Sequence, residues 1–150
     1  MRAILQRVRY AKVTVGTTVT GAIEQGLLIL LGIHEADTQQ DMEWLAKKIF
    51  GMRIFSDAEG KMNLSVADIN GGLLVVSQFT LFASTKKGNR PSFLSGAKPD
   101  KAQEMYDAFI EYLAKISDKN IQRGMFGADM KVELENDGPV TIFLDSQNLE

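Results

Sequence analysis

The chain has no cysteine and a single histidine in 150 residues. Without cysteine there is no disulfide, no thiolate nucleophile and no zinc–thiolate site, and the composition suits a reducing cytoplasm. One histidine, His34, excludes a multi-histidine metal centre and argues against a Ser-His-Asp triad. His34 falls where an apolar run meets Glu35-Ala36-Asp37, so it is expected in an exposed loop. A basic excess is missing too, the formal net charge being −2. Gripping a long stretch of nucleic acid takes a cation per phosphate contact, so any such contact is expected to be local. The cations that do cluster are Lys86, Lys87 and Arg90, with Lys98 and Lys101 beyond; a solvated loop explains them on composition alone. Long apolar runs are also absent. Leu27 to Ile33 is strand-sized, well short of the ~20 residues of a membrane span. The start, Met1 to Arg7, turns polar too early for a signal peptide.

What is present fits one soluble domain over residues 1–150, with 45% hydrophobic and 24% charged residues around a single core. Residues 2–15 read as a strand broken near Tyr10-Ala11, and Gly16-Thr17 turns into a second strand, Val19 to Ile23. Leu27 to Ile33 reads as a buried central strand. Thr38 opens a helix, with Asp41 three residues on as a near capping box and Met42, Leu45, Ile49 and Met52 on one face. Arg53-Ile54-Phe55 is a short strand before a turn. Pro99 suits the first position of a second helix, whose apolar face is Ala102, Met105, Tyr106, Phe109, Leu113 and Ile116. Two more strands follow, Met130 to Leu134 and Val140 to Leu144, separated by a turn at Asn136-Asp137-Gly138-Pro139; residues 146–150 read as a loose tail. The expected fold is α+β: a twisted, barrel-like sheet with two main helices packed against it.

Two features carry chemistry. The first is Leu73-Leu74-Val75-Val76-Ser77-Gln78-Phe79-Thr80-Leu81-Phe82, read as a buried strand over 73–82 that ends in hydrogen-bonding side chains. Burying Ser77, Gln78 and Thr80 without partners would cost about 1–3 kcal/mol each. Either a bonded core network or a polar pocket satisfies them; three together at a strand end, beside an aromatic, favour the pocket. The second is Gly138-Pro139 at the mouth of the last strand. Proline cannot donate to a ladder, so a strand's first residue or an edge accounts for it without any functional role.

Ser77-Gln78-Phe79-Thr80-Leu81 followed by Asn136-Asp137-Gly138-Pro139-Val140-Thr141 closely resembles the D-aminoacyl-tRNA deacylases. The likeness spans nearly the whole chain, through Gln6-Arg7-Val8, Arg53-Ile54-Phe55-Ser56-Asp57, Gly60-Lys61-Met62-Asn63-Leu64, Arg90-Pro91-Ser92-Phe93 and Phe126-Gly127-Ala128-Asp129-Met130. The departures, Lys98 at a helix cap and the 146–150 tail, lie away from these motifs.

The resemblance implies a cytoplasmic, homodimeric hydrolase without metal or other cofactor. Its substrate would be the 3′ end of aminoacylated tRNA, with no membrane or DNA partner. It would cleave the ester joining a D-amino acid, or glycine, to the terminal ribose. It also implies that Gly138-Pro139 is cis and enters the site of the other subunit, where its carbonyls exclude an L side chain, and that Arg7 holds that loop. Ser77, Gln78 and Thr80 are the candidate catalytic residues. Gln78 would position the ester, and Phe79, Phe126 and Met130 would shape the aminoacyl and adenosine pocket. Attack runs either through Thr80 or with help from the ribose 2′-hydroxyl or a positioned water. With no histidine evident to activate Thr80, the second route is favoured. Two other readings stay open: a small-ester or peptide hydrolase with a threonine nucleophile, and a non-enzymatic RNA-binding module.

Overall fold

A computed structural model describes residues 1–149. Its organising element is β1, Arg2–Val15, a single strand of 14 residues. The expected break at Tyr10-Ala11 does not occur. β1 is long enough to serve several partners at once. Its first half pairs antiparallel with β3 (Gly26–Gly32), Arg2 opposite Gly32 and Val8 opposite Gly26, and its second half pairs with β2 (Thr18–Ile23). β3 pairs parallel with β6 (Gly72–Ser77), and β6 with the short β7 (Gln122–Arg123). β2 leans back against β7 and nearly closes the barrel. Gly21 permits this, since a Cβ there would come within 2.7 Å of the Arg123 carbonyl oxygen. A separate small ribbon of β4 (Phe55–Ser56) and β5 (Met62–Leu64) takes up only the end of the strand expected at 53–55.

The other edge of β1 corrects the sequence reading. Lys131–Asp145 is one strand, β8, not two joined by a turn. Lys131 to Asn136 pair with Thr14 to Val8, and Thr141 to Asp145 pair with Gln6 to Arg2. Between them, Arg7 stands opposite the bulged-out stretch Asp137 to Val140. The Asn-Asp-Gly-Pro turn signal is therefore spent on a bulge, because β1 offers a continuous ladder to both flanking segments.

Period-two alternation sorts the buried strands between two cores. Leu27, Ile29, Leu31, Leu73 and Val75 join the helices, while Leu28, Leu74 and Val76 fill the barrel with Val8, Ala11 and Val13. Helix α1 (Gln39–Phe50) starts in the expected capping box: Asp41 N–H donates to Thr38 Oγ1, and Thr38 N–H donates to Asp41 Oδ2 at 2.8 Å. Helix α2 (Pro99–Ser117) begins on proline and buries Tyr106, Phe109, Ile110 and Leu113. Together the barrel-like sheet and two helices make one compact α+β unit. Neither helix is long and apolar enough to cross a membrane.

The first two residues of the expected 146–150 tail bond back to the fold. Ser146 N–H donates to the Met1 carbonyl at 2.8 Å, and Gln147 Nε2 donates to Asp41 Oδ1 at 2.7 Å. The last residue of that stretch, Glu150, lies outside the described residues.

Candidate active site

β3 and β6 end side by side, with Leu31 beside Ser77. Gln78 N–H donates to the Leu31 carbonyl at 2.7 Å, and the chain then winds into a 3₁₀ turn over Phe79–Phe82. The strand expected over 73–82 thus stops at Ser77, where the run of buried aliphatic side chains gives way to polar ones. The first N–H groups of such a turn have no partner within it. Those of Phe79 and Thr80 donate to no acceptor among the described residues.

The polar side chains are less buried than the sequence suggests. Ser77 and Gln78 are half-buried and Thr80 is exposed. Gln78 Nε2 donates to Thr80 Oγ1, which leaves the threonine hydroxyl hydrogen free for another partner. Tyr106 braces this strand end from below. Its hydroxyl donates to the Val75 carbonyl at 2.9 Å, two residues before Ser77, and burial pushes its phenol up to about 12.

A cavity of about 310 Å³ opens at this point. Ser77, Gln78 and Phe79 form one wall, Phe126 and Gly127 another, and Leu31, Ile33, Ala97, Pro99 and Ala102 the floor and far side. Phe126 is held by Tyr106, ring centroids 5.7 Å apart, and Phe79 meets Phe93 edge to face at 5.1 Å. Phe79 on the cavity wall is 62% exposed, so that side of the cavity is apolar and uncovered.

The expected residues fall into three places. Ser77, Gln78, Phe79 and Phe126 line the cavity, and Thr80 adjoins it through Gln78. Met130 does not: it packs with the barrel core behind Gly124. Arg7, Gly138 and Pro139 form a separate cluster. Arg7 is buried; Nε donates to the Asp137 carbonyl at 2.9 Å and Nη1 to the Ile54 carbonyl at 2.7 Å. The Gly138-Pro139 peptide is cis, and Gly138 has φ +138°. A Cβ on Gly138 would lie 2.7 Å from Val140 Cγ2 and 3.1 Å from Arg7 Nη2, so only glycine fits this backbone. Asn136 Oδ1 accepts from Val140 N–H at 2.8 Å and closes the loop across its base.

These clusters stand apart within one chain. Arg7 pairs with Leu27 at the start of β3, whereas Ser77 pairs with Leu31 at its end. That interval is on the order of 13 Å along the strand, with two further strands between β8 and β6.

His34 is not the exposed loop residue expected. It is half-buried with its ring 5.2 Å from Phe82, its N–H donates to Asp37 Oδ2, and its Nδ1 accepts from Ala36 N–H. No group of three or more His, Asp or Glu side chains converges as a metal site among the described residues. The sequence reading missed the cavity's aliphatic lining, Leu31, Ile33, Ala97 and Ala102. Such residues give no local signal, since only tertiary packing turns them towards one space.

The model of the D-Tyr-tRNA(Tyr) deacylase family matches residues 4–145. A D-aminoacyl-tRNA deacylase of Akkermansia muciniphila is 57% identical over 150 residues, covering 100% of both chains. One from Flavobacterium johnsoniae is 59% identical over the same span, again 100% of each. Among solved structures, one described as a c-Myc DNA unwinding element binding protein superposes with a TM-score of 0.91 at 43% identity, over 97% of this chain and 98% of that one. A probable eukaryotic D-amino acid tRNA deacylase shares the fold, with a TM-score of 0.83 at 16% identity over 95% and 97% of the two chains. The chain belongs to the D-Tyr-tRNA(Tyr) deacylase family.

Proposed function

We propose that this chain carries out its family's reaction, hydrolysis of D-aminoacyl-tRNA to free D-amino acid and tRNA, at the Ser77–Thr80 strand end. The observation that carries the assignment of the site is the pairing of an apolar cavity with two unpartnered backbone N–H groups at its rim. The cavity takes the terminal adenosine against Phe126. The Phe79 and Thr80 N–H groups receive the negative charge that grows on the ester carbonyl oxygen as it is attacked. Gln78 and Ser77 hold the ester in place.

Thr80 is a poor nucleophile here. Its hydroxyl is exposed and bonded to an amide, and the lone histidine is packed against Phe82 with one ring nitrogen occupied. Attack by water, assisted by the ribose 2′-hydroxyl, fits better. The water oxygen adds to the carbonyl carbon and the bond to the ribose 3′-oxygen breaks. That oxygen takes one of the water's protons, the other passes to solvent, and the amino acid leaves as its carboxylate.

The site is completed by a second copy of the chain. Its own Gly138-Pro139 loop lies at the wrong end of the sheet to reach its own cavity, and it is exposed and firmly braced. Set over a partner's cavity, this rigid backbone leaves no room for an L side chain, while glycine, with none, is also hydrolysed. The cell compartment is the cytoplasm, where charged tRNA is found. The name of the 43%-identical solved relative raises DNA as a ligand. A net charge of −2 suits the end of a nucleic acid better than a duplex footprint.

The deciding measurement is release of D-tyrosine against L-tyrosine from charged tRNA. Fast release of the D form alone supports the reading; equal rates, or binding without turnover, would defeat it. Activity on free D-tyrosine esters matching that on charged tRNA would favour a small-ester hydrolase instead.

A further inference from the structure

We propose that the groove on the far side of the 3₁₀ turn from the cavity carries the RNA strand leading to the terminal adenosine, its phosphates held by the Lys86–Arg90 loop. The inference rests on the deacylase reading and adds the path by which the substrate enters. A second depression of about 530 Å³ adjoins the cavity and is lined by Arg2, His34, Ser84, Thr85, Lys86 and Ser95, among others. The two share their boundary: Phe79, Phe93 and Gly96 face the cavity, while Phe82 and Ser95 face the groove. A polynucleotide whose last nucleoside sits in the cavity can therefore continue into the groove without crossing the body of the protein.

Charge selects this exit. Ser84 and Ser92 exchange backbone hydrogen bonds of 2.8 and 2.9 Å, closing residues 84–92 into a loop with Lys86, Lys87 and Arg90 exposed on it. None of the three is paired with a carboxylate among the described residues. Beside Pro99 and Ala102 the lysines instead have carboxylates for neighbours. Lys101 Nζ donates to the Glu35 carbonyl, and the Glu35 carboxylate is drawn to this end of α2 by the Lys98 backbone N–H, with Glu104 further along the same helix, so acidic groups offset the two lysines. In the groove, Arg2 is neutralised by Asp145 at 2.8 Å and lies 4.6 Å above the Phe82 ring. It thus forms a wall, and the net positive charge comes from the loop. His34, with Nδ1 occupied, keeps Nε2 as a donor, and the Ser84, Thr85 and Ser95 hydroxyls add donors suited to phosphate and 2′-hydroxyl groups. A groove of hydroxyls beside unpaired lysines, opening from an adenosine-sized cavity, matches a single RNA strand.

The test compares two substrates, D-tyrosyl-tRNA and 3′-(D-tyrosyl)adenosine, which has no preceding phosphates. In the Lys86→Ala/Lys87→Ala/Arg90→Ala chain, kcat/KM on charged tRNA should fall by about tenfold or more relative to the same variant's kcat/KM on the adenosine ester. The loss should lie in KM, with the salt dependence flattening by about 0.7 in log–log slope per phosphate contact removed. An unchanged ratio, or a loss seen with Lys98→Ala/Lys101→Ala instead, would overturn the groove. Wild-type protein that hydrolyses neither substrate would sink the deacylase reading itself.

Discussion

The strand end at Ser77–Thr80 and the bulge at Asp137–Val140 are built in opposite ways. The bulge is held from every side: Arg7 takes the Asp137 carbonyl, Asn136 takes the Val140 N–H, and Gly138 has no space for a side chain. The strand end is left open, with one amide–hydroxyl bond, two idle N–H groups and an exposed Phe79. A group that must bind a changing charge keeps its donors free, whereas a group that must refuse a shape keeps its backbone fixed. Under the proposed reaction the contrast is a division of labour, with chemistry assigned to the open end and selection to the braced one.

The largest expected effect tests the open end. A tRNA ending in 2′-deoxyadenosine should be hydrolysed about 10²–10⁴-fold more slowly, while Thr80→Ala should keep much of the wild-type rate. A dead Thr80→Ala enzyme that accepts the deoxy substrate would assign the attack to threonine.

Gly138→Ala should come next. It forces a side chain into a backbone at φ +138° and should lower kcat/KM on D-tyrosyl-tRNA by about 10²-fold, in line with a strain of roughly 1–3 kcal/mol in the folded loop. Mixing it with Gln78→Ala subunits would sharpen the comparison. A mixed dimer rebuilds one intact site, so activity should return on the order of a quarter of wild type. Two variants that stay inactive together would mean that each chain uses its own loop.

Arg7→Ala should cost about 2–4 kcal/mol of stability, because the Ile54 and Asp137 carbonyls lose a buried charged donor. Denaturant unfolding measures this directly. A shift well under 1 kcal/mol would show that the bulge holds without its brace.

The smallest effect concerns the support beneath the open end. Tyr106→Phe should cost about 1 kcal/mol. Burial raises the phenol of Tyr106 to about 12, so its contribution is complete below pH ~10, its unfolded value, and fades as pH rises towards the folded one. The wild type should therefore lose stability over that range more than Tyr106→Phe; parallel curves would contradict it.

Much of this was legible in the sequence, and the reasons are local. Thr38 and Asp41 announced α1, and the aliphatic run from Leu27 marked β3, because caps and burial leave their imprint within a few residues. Ser77 and Gln78 stood out because polar groups rarely close such a run. Asn136 to Pro139 misled, since the turn chemistry was real but β1 captured both flanking segments in one ladder. Met130 was drawn to the site by its neighbours in sequence, while the fold turned it into the barrel. Leu31, Ile33 and Ala102 could not be singled out, because an aliphatic side chain in a cavity and one in a core look alike until the helices dock.

The double ladder on β1 has a consequence for length. Residues 131–136 and 141–145 are both locked to β1 in fixed register, and a one-residue slip in either would turn every side chain to the other face. Adding or deleting a residue between them must therefore be absorbed entirely within the bulge, which Arg7 and Asn136 already fill. A surface loop usually tolerates insertion and deletion. This one, although exposed, should be as intolerant of a length change as the middle of a strand.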